Sequence, residues 1–97
     1  MSAVLHEGRL VISGPVTLQT VEALVARGDA LIREGARVVD LSGVAEVDSA
    51  ALAMLLHWIR AARGAGRTLA VDHAPDSLRS LARLYDLEAL VFGAGAP

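Results

Sequence analysis

Extended and helical segments alternate along this chain, and their order constrains the fold more than any other feature of the sequence. Residues 4–5 and 9–13 are short, largely apolar stretches on either side of Glu7-Gly8, a pair that suits a tight hairpin turn. From Thr17 until Gly35, apolar residues recur at helical spacing. The chain is therefore predicted to begin with two strands and an amphipathic helix.

The rest of the chain alternates strand and helix in the same way. Residues 37–41 predict a buried strand, and Asp48-Ser49 is predicted to cap a second helix over residues 50–63. Three more elements are predicted: a strand over residues 68–71, a third helix opened by residues 75–77, and a short last strand over residues 89–92. Residues 93–97 are expected to form a frayed tail.

The order β-β-α-β-α-β-α-β predicts an α/β fold. Its sheet is expected to be mixed and mostly parallel, with an N-terminal hairpin strand and with helices packed on it. A chain of 97 residues buries one modest core, so residues 1–97 are expected to form a single domain. Because 54% of the residues are hydrophobic and only 3% are aromatic, that core is built from aliphatic side chains.

The composition excludes several classes of function. All 9 basic residues are arginine, so a Schiff-base lysine and the lysine of a phosphate-binding P-loop are absent. Cysteine is absent too, which excludes thiol nucleophiles, zinc-thiolate sites and disulfides. The formal net charge of -2 offers no electrostatic footprint for nucleic acid. We therefore expect no enzyme, no cofactor and no nucleic-acid partner.

The sequence also predicts a cytoplasmic protein. Residues 1–8 lack the basic start and apolar stretch of an export signal. The longest apolar run, residues 50–56, is far shorter than the roughly 20 residues that cross a bilayer. Contact with a membrane is therefore expected only through a partner.

Neither the histidines nor the acidic residues form a pattern that indicates a catalytic or metal site. His6, His57 and His73 lie on separate predicted elements without a companion at ligand spacing. Asp40 and Asp48 flank the loop after a predicted strand, like the acidic residues of receiver domains, but the supporting lysine is missing. We expect no catalytic residue and no metal ligand.

Asp48-Ser49 has two interpretations from its position alone. A hydroxyl at the start of a helix is an ordinary N-cap. It is also a hydroxyl that a partner protein or a kinase can reach, and a phosphate there would add a charge of about -1.5 to -2 to the surface. The residues leave both interpretations open.

The second predicted helix is apolar over most of its circumference. Only Ala53, His57 and Arg60 form a polar strip, which leaves an apolar arc of roughly 240° where a one-sided surface helix needs little more than 100°. A short sheet and three helices offer little protein to cover such an arc, which favours a partner protein there. Met54 and Trp58 are the expected anchors of that contact.

Two stretches resemble the STAS family (sulfate transporter and anti-sigma factor antagonist). They are residues 38–42, VVDLS, and residues 47–52, VDSAAL. Asp48, Ser49 and Leu52 match the family's D-[ST]-x-G-L signature, whereas Ala51 stands at its glycine position. The similarity covers nearly the whole chain and implies a single STAS domain.

Longer stretches resemble the MlaB-like branch of that family, the STAS subunits of Mla phospholipid-transport ABC complexes. They are residues 52–59, LAMLLHWI, and residues 81–87, LARLYDL. The resemblance implies a non-catalytic accessory subunit on the cytoplasmic face of the inner membrane. Such a subunit binds the nucleotide-binding ATPase of a transporter that also contains a permease, and it helps maintain outer-membrane lipid asymmetry.

The resemblance and the apolar arc of the second helix together indicate which residues bind the partner. Ser49 stands at the family's Ser/Thr position, and the expected partner-binding residues are Asp48, Ser49, Ala50, Ala51, Met54 and Trp58. The alternative is an anti-sigma factor antagonist, in which an anti-sigma factor kinase is the partner and phosphorylates Ser49.

Overall fold

The computed structural model describes residues 2–93. Four strands are present: β1 (Ser2–His6), β2 (Arg9–Ser13), β3 (Val38–Gly43) and β4 (Ala70–Asp72). Four helices accompany them: α1 (Val21–Arg33), α2 (Ser49–Gly64), α3 (Asp76–Leu84) and α4 (Glu88–Phe92). Up to α3, the order of elements agrees with the sequence prediction.

The strands form one mixed sheet in the order β1-β2-β3-β4. β1 is antiparallel to β2, whereas β3 and β4 each run parallel to the preceding strand, so the predicted mostly parallel sheet is confirmed. Glu7 and Gly8 connect the hairpin with positive φ angles of 50° and 81°. A two-residue turn with positive φ at both positions matches the twist of the strands it joins.

The last predicted strand is wrong, because residues 89–92 belong to helix α4. A short apolar run does not distinguish a strand from a buried helical turn. Here Val91 is buried in the core, and Gly93 ends the helix with a φ of 91°. The sheet therefore ends at β4 within the described residues. Of the predicted tail, Gly93 follows α4 without regular structure, and residues 94–97 lie outside the described residues.

One face of the sheet is buried under the helices. Alternation along β2 and β3 directs Leu10, Ile12, Val39 and Leu41 into the core, each at most 2% exposed. The side chains between them, including Arg9 and Asp40, lie on the opposite face.

Helix α2 is the centre of the helical layer and packs against α1, α3 and α4. Trp58 of α2 is 0% exposed and lies over Gly28 of α1, where an added Cβ would come within 2.1 Å of the Trp58 Cζ2 atom. The Trp58 indole N–H donates to the Val25 carbonyl oxygen at 3.4 Å. Three helices thus cover most of the apolar arc that the sequence analysis assigned to a partner.

Candidate functional site

The amino end of α2 is held by the carboxylate of Asp48. Its Oδ1 atom accepts from the Ala50 backbone N–H at 2.8 Å and caps the helix. Its Oδ2 atom accepts from the Leu18 backbone N–H at 3.0 Å. Of the predicted pair Asp48-Ser49, the carboxylate of Asp48 is the cap, whereas Ser49, which carries the hydroxyl, is the first helical residue. The two oxygens of the carboxylate let Asp48 accept from both backbone N–H groups at once.

Two loops at the same edge of the sheet bring Leu18 and Ser49 together. The loop after β2 and the loop after β3 form a single parallel bridge between Val16 and Val47. The Val16 N–H donates to the Glu46 carbonyl oxygen at 2.9 Å, and the Asp48 N–H donates to the Val16 carbonyl oxygen at 3.3 Å. Ser49 therefore lies at the carboxyl edge of parallel strands, where functional loops of such sheets are found.

Ser49 is exposed, and within residues 2–93 its side chain makes no hydrogen bond. It stands at one end of an open groove of ≈ 560 Å³ between α1 and α2. The α1–α2 groove is lined by Leu18, Val21, Val25, Asp48, Ser49, Ala50, Ala53, Met54 and His57. A hydroxyl thus borders a mainly apolar, solvent-accessible surface.

The structure brings four of the six predicted partner-binding residues to this groove and buries the other two in the core. Asp48, Ser49 and Ala50 lie at its upper end, and Met54 forms its floor at 1% exposure. Ala51 and Trp58 are 1% and 0% exposed and lie in the core. Trp58 is covered by α1, so Ala51 and Trp58 are not exposed in the chain by itself, and their assignment to a partner contact stays a prediction.

The α1 side of the groove was missed by the sequence analysis. Leu18 was placed on the apolar face of the first helix, but that helix begins only at Val21, and Leu18 is 74% exposed. The spacing of Thr17 and Thr20 is a local signal for a turn that precedes the helix. The Thr20 hydroxyl accepts from the Thr17 N–H at 3.0 Å and donates to the Pro15 carbonyl oxygen at 2.9 Å. Such side-chain bonds compete with helix formation and turn the chain outwards before α1.

His57 marks the other end of the groove and connects its two walls. Its Nε2 atom lies 2.9 Å from Asp29 Oδ1, so the pair joins α2 to α1. Both side chains remain partly exposed. The groove therefore has polar groups at its ends and apolar side chains along its length.

A second polar cluster lies on the open face of the sheet. The Arg9 guanidinium donates to Asp40 at 3.2 Å and to Asp72 at 2.9 Å, and His73 Nδ1 lies 3.4 Å from Asp40. The Ser42 backbone N–H, which donates to Asp40 at 2.9 Å, and the Arg9 guanidinium lower the pKa of Asp40 to about 2. Asp40 therefore stays ionised at neutral pH, and the Arg9 guanidinium between Asp40 and Asp72 joins three strands.

The described residues contain neither a metal site nor a membrane span. No group of three or more histidine, aspartate or glutamate side chains in residues 2–93 is arranged to hold a metal ion. Asp40 and Asp48, considered together as an acidic pair, bind different backbone groups. In the same residues, no helix has the length and apolar character that crossing a bilayer requires.

Comparison with known proteins assigns the chain to a class. The family model described as "Mlab, STAS domain" matches residues 1–92. The chain therefore belongs to the STAS-domain family, and Ala51, at the family's glycine position, is buried in the first turn of α2.

Relatives within that family include named transport proteins. The chain is 39% identical over 56 residues to the intermembrane phospholipid transport system binding protein MlaB of Escherichia coli (strain K12) and to that of Shigella flexneri. The matched segment spans 58% of this chain and 58% of each relative.

A solved structure shares the fold. The anti-sigma factor antagonist SpoIIAA in its unphosphorylated form superimposes with a TM-score of 0.70 at 14% identity, covering 90% of this chain and 81% of that chain. At this identity the likeness concerns the fold alone.

Proposed function

We propose that this chain is a non-catalytic accessory subunit of an ABC phospholipid transporter and that it binds the transporter's nucleotide-binding ATPase through the α1–α2 groove. In this role it acts on the cytoplasmic face of the inner membrane, held there by an ATPase and permease, and supports transport that maintains outer-membrane lipid asymmetry. The observation that carries the proposal is the exposed Ser49 beside an open, largely apolar groove.

The groove has the chemistry of a protein-docking surface. Its length is lined by small or aliphatic side chains, among them Leu18, Val21 and Ala53, which exclude water when a partner packs on them. Asp48 is already occupied by two backbone N–H groups and so holds the groove in shape. The surface is formed before the partner arrives, which lowers the entropy cost of binding.

Co-purification tests the partner directly. The tagged protein, isolated from its own membranes in mild detergent, is expected to carry an ATPase and a permease in fixed stoichiometry by native mass spectrometry. Ser49→Arg places bulk and charge at the groove and is expected to remove both proteins while the thermal unfolding midpoint stays unchanged. Ser80→Arg, an exposed position on α3 outside the groove, is the matched control and is expected to retain them. Retention of the ATPase by Ser49→Arg would contradict the proposal.

A second function is favoured by the free hydroxyl itself. Ser49 lies in the first turn of α2, where the positive end of the helix dipole favours a phosphate, and it is accessible to a kinase. An anti-sigma factor antagonist would be phosphorylated there by its anti-sigma factor kinase and would then lose its partner. Co-purification of a kinase in place of the ATPase, with a phosphate on Ser49 in the intact mass, would select this function.

A further inference from the structure

A second cleft, at the edge of the sheet, shares no residue with the α1–α2 groove. It has a volume of ≈ 580 Å³ and is bounded by β4, the carboxyl half of α2 and α4. Arg79 stacks over the Phe92 ring at 4.6 Å and so joins α4 to α3. The β4 cleft is large enough for several side chains of a ligand.

The wall formed by β4 is an open strand edge. The Ala70 N–H donates to the Arg37 carbonyl oxygen at 3.0 Å, so the backbone of Ala70 is directed at β3. Because successive residues of a strand alternate, the N–H and C=O groups of Val71 are directed away from β3, on the side of the cleft. Within residues 2–93 no strand follows β4 in the sheet. Such an edge is a template for an added strand.

The cleft carries an excess of positive charge. Arg63 and Arg67 line it, and the carboxylate that also lines it, Asp72, is bound to Arg9 at 2.9 Å. Arg67 donates to the carbonyl oxygen of Ile32 at the end of α1. Arg63 is exposed and has no ion-pair partner among the described residues. The guanidinium group of Arg63 is therefore available to a carboxylate from outside.

We propose that the β4 cleft binds an extended, acidic peptide segment of a partner protein, which adds to the sheet as a fifth strand beside β4. Backbone hydrogen bonds to Val71 supply the affinity, and a carboxylate of the segment pairs with Arg63 and selects an acidic sequence. Alternate side chains of the added strand lie on the helical side of the sheet, and these are the acidic ones, because Arg63 belongs to α2. Because the cleft and the α1–α2 groove have no residue in common, this contact is independent of the proposed ATPase contact.

Peptide titration of the ¹⁵N-labelled full chain tests the proposal. The probe is the acetylated and amidated pentapeptide of sequence VDVEV. It is expected to shift the amide resonances of Arg63, Leu69 and Val71, and not that of Ser49. The peptide VNVQV of the same shape is expected to bind at least tenfold more weakly, because it lacks carboxylates. A VDVEV peptide with alternate amides N-methylated is expected not to bind, since it cannot form the strand pair.

Matched variants test the role of the arginine. Arg63→Glu is expected to weaken binding of VDVEV at least tenfold, whereas Arg60→Glu, an exposed arginine of α2 outside the cleft, is expected to leave the affinity unchanged. The proposal would be overturned if VDVEV and VNVQV bound with equal affinity, or if Arg63→Glu left the affinity for VDVEV unchanged. It would also be overturned if the peptide shifted only amide resonances of the α1–α2 groove. Binding of the peptide only after deletion of residues 94–97 would assign the cleft to the chain's own terminus and overturn the proposal. A dimer of the chain in analytical ultracentrifugation, formed through the β4 edge, would overturn it as well.

Discussion

Asp48 has a structural role at the end of the α1–α2 groove. One carboxylate oxygen caps α2 at Ala50 and the other fixes Leu18, so a single side chain sets the distance between the two walls of the groove. The family signature places an aspartate beside the Ser/Thr position, and the geometry here gives that aspartate a structural reason. Its neighbour Ser49 is exposed and makes no side-chain hydrogen bond within residues 2–93.

Replacement of Asp48 by alanine should therefore cost more than the loss of an ordinary cap. We expect the free energy of unfolding to fall by about 1–2 kcal/mol for the cap, with a smaller further loss for the hydrogen bond to the Leu18 N–H, which is exposed and becomes hydrated. Urea denaturation measures the difference. The control is Asp76→Ala in the first turn of α3, where the change should stay within about 0.5 kcal/mol. Equal losses in the two variants would contradict the double role of Asp48.

Gly28 is the residue on which the contact between α1 and α2 depends. An added Cβ would lie 2.1 Å from Trp58 Cζ2 and 2.8 Å from its indole nitrogen. We expect Gly28→Ala to lower the free energy of unfolding by about 1–3 kcal/mol, because overpacking exceeds the gain of up to about 1 kcal/mol in helix propensity. Gly64→Ala, also in a helix but with no atom within 4 Å of its Cβ position, should be neutral or stabilising. Thermal unfolding of both variants checks this, and a stabilised Gly28→Ala would refute the contact.

At the scale of elements, the cluster of Arg9, Asp40 and Asp72 joins β2, β3 and β4 on the open face of the sheet. The Ser42 N–H and the Arg9 guanidinium lower the pKa of Asp40 from 3.8 to about 2. Because the unfolded chain binds the proton more tightly, Asp40 stabilises the fold above pH 4, and this contribution is lost as the pH falls from about 4 to about 2.

Asp40→Asn should show this dependence. At pH 7 the variant is expected to be less stable than the unchanged protein by roughly 1 kcal/mol, after allowance for solvent screening. The difference should shrink as the pH approaches 2. Chemical denaturation at pH 7, 5, 4, 3 and 2 measures the two curves. A difference that stays constant across this range would rule out the ionised pair as its source.

The elements that the sequence predicted correctly are those with a strong pattern. Residues 9–13 and 37–41 alternate between core and open face, and α1 and α2 follow the helical period. The prediction of a strand over residues 89–92 failed because four apolar residues fit a strand and a helix equally well, and packing on α2 decides between the two. The interpretation of α2 failed for a related reason, because a periodicity shows how wide an apolar face is but not which elements cover it.

At the scale of the whole molecule, the groove exists because α1 and α2 lie side by side on one face of the sheet. The sequence located Ser49 and the amino end of α2 correctly, since a cap and a signature are local features. It could not give the opposite wall, because Leu18, Val21 and Val25 come from a different segment that only the folded sheet brings near. One wall of the candidate surface can therefore be predicted from local sequence features, whereas the other depends on the tertiary fold.

A groove that spans both helices predicts that docking extends beyond Ser49. Ala53 lies one turn further along α2, is exposed, and lines the groove. Ala53→Arg fills that space while arginine keeps nearly the helix propensity of alanine, so the free energy of unfolding should change by less than about 0.5 kcal/mol. We expect at least a tenfold loss of affinity for the purified ATPase, measured by surface plasmon resonance.

The control for Ala53→Arg comes from the same helix. Ala61 is exposed two turns further along α2 and lines neither the groove nor the β4 cleft, so Ala61→Arg adds the same charge at a site with no proposed contact. Its affinity for the ATPase should equal that of the unchanged protein. If both variants bind normally, docking is confined to the neighbourhood of Ser49; if both lose affinity equally, charge on α2 matters more than its position, and the groove is not the docking surface.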